Sequence, residues 1–167
     1  MTRVRISPAC RRDGPELVAA NIASRDWHAP YAEPFTTLDG FHLWLDQIFT
    51  GPQAALVARE VESDGVVGVF TFSQISMGLN FRSAYLGYYG MAAFQGRGLM
   101  SEALELVTRY GFEDIRLLRI EANIQPDNHR SLAMVRRAGF EKEGYSRLYL
   151  RINGAWQDHE RWTKLAR

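Results

Sequence analysis

The sequence predicts a mixed α/β fold, in which four helices flank a single, largely antiparallel sheet of about seven strands. Two turn dipeptides, Asp64-Gly65 and Asn153-Gly154, each separate two β-rich runs and indicate antiparallel hairpins. Between the hairpins, a β-rich run, a glycine-rich loop, an amphipathic run and another β-rich run indicate a right-handed crossover between parallel strands. The predicted order of elements is therefore β-α-α-β-β-β-α-β-α-β-β.

The first strand and the first helix are predicted within residues 4–24. Val4 and Ile6 alternate with arginines, which is typical of a short strand. Residues 13–16 read DGPE, which supplies a capping Asp, an early Pro and an acid in the first turn of a helix. The two prolines in the following segment, residues 25–34, predict an irregular chain.

The second helix and the first hairpin follow. Thr37 is a typical capping residue for a helix with one apolar face, and Gly51-Pro52 ends that helix. The β-rich runs at residues 54–61 and 66–76 flank the Asp-Gly turn, so they form the two strands of the hairpin.

The crossover occupies the centre of the chain. Tyr85 to Tyr89 is predicted to be a strand, and residues 101–114 form a helix with apolar residues at helical spacing. Apolar and polar residues then alternate from Leu118 to Ile124, which predicts a second strand.

The last helix and the last hairpin complete the predicted fold. Asp127 or Asn128 caps the helix, and Gly139 closes it. Residues 145–152 and 156–164 form the strands on either side of the Asn-Gly turn.

The glycine loop at residues 95–100, QGRGLM, indicates a phosphate site, because it joins a strand to the start of a helix. Its backbone N–H groups and the positive end of the helix hold an anion without a lysine. The spacing fits neither the GxxxxGK[ST] loop nor the GxGxxG fingerprint. A tight left-handed turn without a ligand is the alternative interpretation of the loop taken alone.

Composition and charge indicate one domain spanning residues 1–167. The net charge of +1 argues against a general nucleic-acid binder. The single cysteine, Cys10, excludes an internal disulfide, and the four histidines show no metal-binding spacing, so no metal is expected. Without an apolar N-terminal run or a run of membrane-spanning length, we expect a cytoplasmic protein, as a monomer or a homodimer.

Five stretches carry a resemblance to a known family: LGYYG (86–90), QGRGLMSEAL (95–104), IEANIQPDNHRS (120–131), AGFEKEGY (138–145) and INGAWQDH (152–159). With the order of elements, they resemble the GNAT superfamily of acetyl-CoA-dependent N-acetyltransferases, and more closely the ribosomal-protein-alanine acetyltransferases of the RimJ/RimL type. The resemblance implies the GNAT fold, acetyl-CoA as co-substrate, and direct transfer of its acetyl group to an amine in a ternary complex.

The resemblance also implies which residues bind the coenzyme. In the family the glycine loop holds the CoA pyrophosphate, and the matching residues here are Gln95, Gly96, Arg97, Gly98, Leu99 and Met100, the last replacing a small residue. The pantetheine arm is expected along Tyr89, Gly90 and Met91, and Arg130 is a candidate for a CoA phosphate. Asn128 and Ser131 match an N-x-x-S element, and Asn123 matches the strand position beside the thioester.

The family's proton-transfer residues are only partly present. Many members carry a tyrosine seven residues after the Asn, where this chain has Val135, so Ser131 becomes the candidate acid for the leaving thiolate. A capping or packing serine is the alternative interpretation of Ser131. A backbone N–H near Gly90 or Met91 is the expected oxyanion donor.

The general base is not apparent from the sequence. Tyr85 stands where related enzymes carry a glutamate, and a tyrosine with a pKa near 10 is an inefficient base. Glu33, Glu121 and a water held by Asn123 remain candidates, with an exposed or paired acid as the alternative for each carboxylate.

The acceptor groove is expected to include Trp27, Tyr31, Glu33 and Tyr85, with core packing as the alternative for Trp27. A site that lacks a strong base suits a protein α-amine, with a pKa of about 7.7–8.0, better than a lysine, near 10.4. The favoured acceptor is therefore a protein N-terminus, for example that of a ribosomal protein. A small amine is one alternative, and a non-catalytic acyl-CoA-binding module is another.

Overall fold

One seven-stranded sheet runs through the protein, whose computed structural model describes residues 1–167. The strands are β1 (Val4–Pro8), β2 (Ala54–Glu60), β3 (Val66–Met77), β4 (Arg82–Gly90), β5 (Arg119–Ile124), β6 (Glu141–Ile152) and β7 (Ala155–Leu165), and they lie in the order β1-β2-β3-β4-β5-β7-β6. The helices are α1 (Gly14–Ala23), α2 (Arg25–His28), α3 (Leu38–Thr50), α4 (Leu99–Glu113) and α5 (His129–Arg137). None of them combines the length and the apolarity needed to cross a membrane.

The sheet is mixed and largely antiparallel, as predicted. β4 and β5 form its one parallel pair, and all other neighbouring strands are antiparallel. Their pairing stops at Tyr85 and Glu121, although β4 continues to Gly90 and β5 to Ile124. The two strands therefore separate, and we call the opening between residues 86–90 and 122–124 the β4–β5 gap. A backbone edge that would otherwise be paired is exposed there.

The two faces of the sheet bury separate cores. Even-numbered residues of β4 and β5, such as Leu86 and Ile120, join the core that α4 and α5 cover, which we call the α4–α5 face. Odd-numbered residues of β4, such as Tyr89, pack against the core under α1 and α3, the α1–α3 face. Because side chains alternate along a strand, the number of a residue in these strands gives the face on which it lies.

Several predicted caps and turns are confirmed. The Thr37 hydroxyl accepts a hydrogen bond from the Gly40 N–H at 3.0 Å, and it begins α3. Asn128 caps α5, and Gly139 follows that helix with a φ of +86°. Asn153 and Gly154 both have positive φ, as a two-residue hairpin turn requires.

Two local predictions were wrong. Residues 25–34 are not irregular throughout, because α2 forms before Pro30 and gives the protein five helices instead of four. The Asp13 side chain does not cap α1. Its Oδ1 accepts from the Arg59 guanidinium at 3.0 Å and its Oδ2 from the Cys10 N–H at 2.8 Å, so a buried ion pair to β2 replaces the cap.

Candidate active site at the gap between two strands

A cavity of about 770 Å³ opens at the β4–β5 gap. Its walls come from α2 and the segment after it, the end of β4, the glycine loop, the end of β5, α5 and one residue of β7. Of the residues predicted from the sequence, it brings together Trp27, Tyr31, Tyr89, Gly90, Met91, Gln95, Gly96, Gly98, Leu99, Met100, Asn123, Asn128, Arg130 and Ser131. Arg97, Glu33 and Tyr85 are not among its lining residues.

The glycine loop has the backbone geometry of an anion cradle. Gly96 and Gly98 adopt left-handed conformations, with φ of +73° and +75°, and Gly98 is the N-cap of α4. A Cβ on Gly96 would meet no atom within 4 Å, so the backbone conformation and not crowding requires glycine there. The open space beside Gly96 and the unpaired N–H groups of the first turn of α4 fit an anionic group.

The side chain of Arg97 lies outside the cavity, so only the backbone of Arg97 remains for the predicted contact with the coenzyme. Its guanidinium forms an ion pair with Glu60 of β2 and stacks over the Phe94 ring, with 5.6 Å to the centroid. The Arg97 carbonyl accepts from the Arg3 guanidinium at 3.1 Å. Arg97 therefore connects the loop to the end of β2 and to the residue before β1, and only its backbone remains near the anion cradle.

The end of β4 leaves one backbone N–H facing the gap. Gly90 and Met91 were the two predicted oxyanion donors, and the Met91 N–H is already used, since it donates to the Val67 carbonyl at 2.9 Å. Backbone groups alternate in direction along a strand, so the Gly90 N–H points away from β3, toward the gap. The Gly90 carbonyl accepts from Nε2 of His28 at 2.7 Å, which holds this residue at the opening.

His28 is a site residue that the sequence did not reveal. It is buried, it packs edge-on against the Tyr89 ring at 4.9 Å between centroids, and burial lowers its pKa. The neutral imidazole is therefore favoured, with the Nε2 proton directed to the Gly90 carbonyl. Only the short α2 brings His28 to β4, and α2 was not predicted.

Two hydroxyl groups meet on the α4–α5 face of the gap. The Tyr88 Oη and the Ser131 Oγ are 2.5 Å apart. Burial raises the pKa of Tyr88 to about 12, against the opposing effect of its bond to Ser131, so the phenol keeps its proton at neutral pH. The Ser131 N–H donates to Asn128 Oδ1 at 3.3 Å, so the Asn128 amide oxygen is used as a helix cap. The pair is a proton source beside the gap.

The α1–α3 face of the gap carries an unpaired acceptor. The Asn123 Oδ1 is buried and has no hydrogen-bond partner. Buried polar atoms in native structures are nearly always paired, so this oxygen is an unused hydrogen-bond acceptor on this face. His159 lies on the same face, lines the cavity and is almost fully buried. It was also missed, because a single histidine after a hairpin turn gives no sequence signal.

Trp27 and Tyr31 form a wall that joins the region of α2 to α5. The Arg130 guanidinium carbon stands 3.9 Å from the Trp27 ring centroid, a close cation–π contact. The Tyr31 hydroxyl donates to the Asp127 carbonyl at 3.2 Å. Trp27 thus lies at the cavity and not only in a core, and the charge of Arg130 is held at the cavity wall.

The two carboxylates considered as bases are both engaged elsewhere. Glu33 accepts from the N–H of Asn153 at the tip of the β6–β7 hairpin. Glu121 lies 3.3 Å from the Arg119 guanidinium. The predicted roles of Glu33 and Tyr85 at the acceptor are not supported by their positions outside the cavity. The Tyr85 side chain lies beside Tyr149, whose pKa is raised by burial first and then by Tyr85.

Comparisons with known proteins identify the family and the fold. A sequence model described as an acetyltransferase (GNAT) domain matches residues 3–141. Over 94 residues, 56% of this chain, the sequence is 46% identical to the [ribosomal protein uS5]-alanine N-acetyltransferase of Escherichia coli strain K12. The match covers 48% of that protein, so the chain spans about half the length of this relative.

Two further matches extend over nearly the whole chain. An uncharacterized N-acetyltransferase, p20, from Bacillus licheniformis is 35% identical over 162 residues, which are 91% of this chain and 90% of that protein. The structure of Mycobacterium smegmatis RimJ in complex with CoA-disulfide superposes with a TM-score of 0.88 at 27% identity, over 98% of this chain and 82% of that one. The predicted fold and family resemblance are therefore confirmed, and the chain belongs to the GNAT acetyltransferase family.

Proposed function

We propose that this protein is an acetyl-CoA-dependent N-acetyltransferase whose acceptor is the N-terminal α-amine of a protein, such as a ribosomal protein. One observation carries the proposal: the cavity at the β4–β5 gap has a proton-donating pair on one face and an unpaired amide oxygen on the other. Transfer of an acyl group from a thiol to an amine needs both, because the thiolate must gain a proton and the amine must be oriented. Membership of the GNAT family supports the reaction class.

The coenzyme site is assigned to the glycine loop and the edge of β4. The left-handed Gly96 and Gly98 and the first turn of α4 hold the pyrophosphate through backbone N–H groups. The exposed β4 edge beyond Tyr85 pairs with the amides of the pantetheine arm, as an added strand would. Tyr89 and Met91 contribute side chains to this channel, since their backbone groups face β3.

The chemistry follows from what the two faces offer. The amine nitrogen attacks the thioester carbon from the α1–α3 face, with one N–H directed to Asn123 Oδ1. The Gly90 N–H stabilises the negative charge that develops on the carbonyl oxygen. As the C–S bond breaks, Ser131 gives its proton to the sulfur, and Tyr88 replaces that proton through their short hydrogen bond.

The choice of acceptor rests on the proton affinity of the amine and on the name of a related enzyme. No free carboxylate lines the acceptor face, which favours an amine that is already partly neutral near pH 7, as an α-amine is. The E. coli relative is named for an alanine of a ribosomal protein, and this name supports a protein acceptor.

A comparison of three acceptors tests the function. The purified protein is mixed with acetyl-CoA and a peptide with a free N-terminal alanine, the same peptide with a blocked N-terminus and an internal lysine, or a polyamine. We expect thiol release and one added acetyl group on the free α-amine only, by a thiol assay and mass spectrometry. Transfer to the polyamine alone would establish a small-molecule acetyltransferase. CoA binding without transfer to any amine would establish a binding module.

A further inference from the structure

We propose that His159 is the general base of the acetyl transfer, and that its Nε2 takes the proton which the amine loses as the new C–N bond forms. The inference rests on the proposed function and supplies the residue that the sequence leaves open. It stands on the face, the burial and the hydrogen bonding of His159.

The position of His159 is on the acceptor side of the gap. Trp162 of β7 belongs to the core of the α4–α5 face, so the odd-numbered residues of this strand lie on the α1–α3 face. Asn123 pairs in register with Arg161, which makes His159 its diagonal neighbour on the same face. Such neighbours are about 7–8 Å apart. One small amine nitrogen between them can contact both side chains.

The hydrogen bond at Nδ1 fixes which nitrogen of His159 is basic. Nδ1 lies 3.0 Å from the Gln157 carbonyl oxygen, and a carbonyl oxygen can only accept, so Nδ1 carries the proton. The neutral ring then has its lone pair on Nε2, which has no hydrogen-bond partner in the protein. Nε2 is the ring nitrogen farther from the backbone. Its free lone pair therefore belongs to the outer part of a side chain that lines the cavity.

The surroundings keep this imidazole neutral. Burial lowers the pKa of His159, and the Gln157 carbonyl and Asp158 oppose the effect without cancelling it. Tyr149 of β6 packs against the ring, with 6.2 Å between the ring centroids, and Arg161 lies two positions further along β7 on the same face. Neither is an anion at neutral pH, so an unprotonated base is available for the amine.

His28 is the other buried histidine in the cavity, and it differs from His159 in which ring nitrogen is hydrogen-bonded. Its Nε2 is used on the Gly90 carbonyl at 2.7 Å, so its unprotonated nitrogen is Nδ1, next to the helix backbone. His28 therefore positions the β4 edge, whereas His159 presents its outer nitrogen to the cavity. The two histidines form a matched pair for experiment.

The proton balance of the complete step is closed. The lone pair of the neutral amine forms the C–N bond, and the carbonyl π electrons move to the oxygen held by the Gly90 N–H. The nitrogen gives one proton to His159 Nε2. When the C=O bond re-forms, the C–S bond breaks, and the sulfur leaves with its electron pair and takes the Ser131 proton. His159 then releases its proton to water as the hydroxyl pair regains one.

Substitution with chemical rescue tests the assignment. We expect His159→Gln to lower kcat for peptide acetylation by ~10²–10⁴-fold, the usual contribution of a general base, with CoA affinity by calorimetry nearly unchanged. Added imidazole should restore part of the activity of His159→Ala but not of His28→Ala. His42→Ala, on the exposed side of α3, is the control and should behave as the wild type.

The outcomes separate this inference from the proposed function. A wild-type protein that transfers no acetyl group to any amine overturns the function itself. An active wild type with a His159→Gln variant within about twofold of its kcat overturns only the role of His159, as does imidazole rescue confined to His28→Ala. If His159→Ala does not fold, judged by its melting curve, the Gln variant decides the question through kcat.

Discussion

The hydroxyl pair of Tyr88 and Ser131 allows a quantitative test of how the leaving thiolate gains its proton. Ser131→Ala removes the proposed donor but keeps the backbone N–H that bonds Asn128 Oδ1, so the cap of α5 survives. Tyr88→Phe keeps the donor and removes only its partner at 2.5 Å. The two variants therefore remove different parts of one proton path.

The expected sizes follow from these contacts. Loss of the general acid in Ser131→Ala should lower kcat by ~10²–10⁴-fold. Tyr88→Phe removes one hydrogen bond with a net value of ~0.5–1.5 kcal/mol, which corresponds to a loss of roughly two- to thirteen-fold in kcat. Because Tyr88 acts through Ser131, the double variant should be no slower than Ser131→Ala alone.

The assay is thiol release at saturating acetyl-CoA and peptide, with CoA affinity measured by calorimetry. Affinity should change little in all three variants, since neither hydroxyl belongs to the pyrophosphate site. Ser76→Ala is a suitable control, because that hydroxyl bonds the Phe81 carbonyl at the far end of the β3–β4 hairpin. A double variant slower than Ser131→Ala by the full Tyr88→Phe factor would refute the shared path. Wild-type kcat in Ser131→Ala would refute the acid.

Three further results are expected. Gly96→Ala and Gly154→Ala should each lower the free energy of unfolding by ~1–2 kcal/mol in a melting experiment, since both glycines have φ above +70° and open space at Cβ. Only Gly96→Ala should also weaken CoA binding, measured by calorimetry. Asn123→Ala should raise KM for the peptide without lowering stability, because Oδ1 has no partner to lose; a large drop in melting temperature would contradict this. Burial lowers the pKa of His28 and His159 below the unfolded value of 6.5, so protonation favours the unfolded chain. The free energy of unfolding is then at its full value above pH 6.5 and should fall as the pH drops below it. An unchanged melting temperature from pH 7.5 to 5.5 in His28→Gln/His159→Gln is the matching control.

The fold was predictable because its signals are local. The Asp-Gly and Asn-Gly turns determine two hairpins, the spacing of apolar residues determines the long helices, and a glycine loop between strand and helix gives the parallel crossover. These patterns act over a few residues, so no knowledge of the tertiary structure is needed. The short α2 escaped prediction because a single helical turn has no periodicity.

The site was only partly predictable because its charged side chains form contacts with residues that are distant in the sequence. Arg97 pairs with Glu60, and Glu33 with the Asn153 backbone, 120 positions away in the chain. The sequence left Gly90 and Met91 as alternative oxyanion donors, and only the bond from the Met91 N–H to Val67 in the folded protein distinguishes them. The partner of each of these residues depends on which groups the folded chain brings together. The chemistry of a single residue does not reveal that partner.

The alternation of residues in the sheet explains why the proposed acid and the proposed base lie on opposite faces. Tyr88 and Tyr89 are neighbours in sequence, yet one packs with the α4–α5 core and the other with the α1–α3 core. The same rule separates the proton donor of the thiolate from Asn123 and His159. The acid must reach the leaving sulfur and the base must reach the attacking nitrogen, which are two different atoms bonded to the same carbon. Where β4 and β5 separate, the two can act on one bound substrate from either side without contact, and this is the chemical use of the gap.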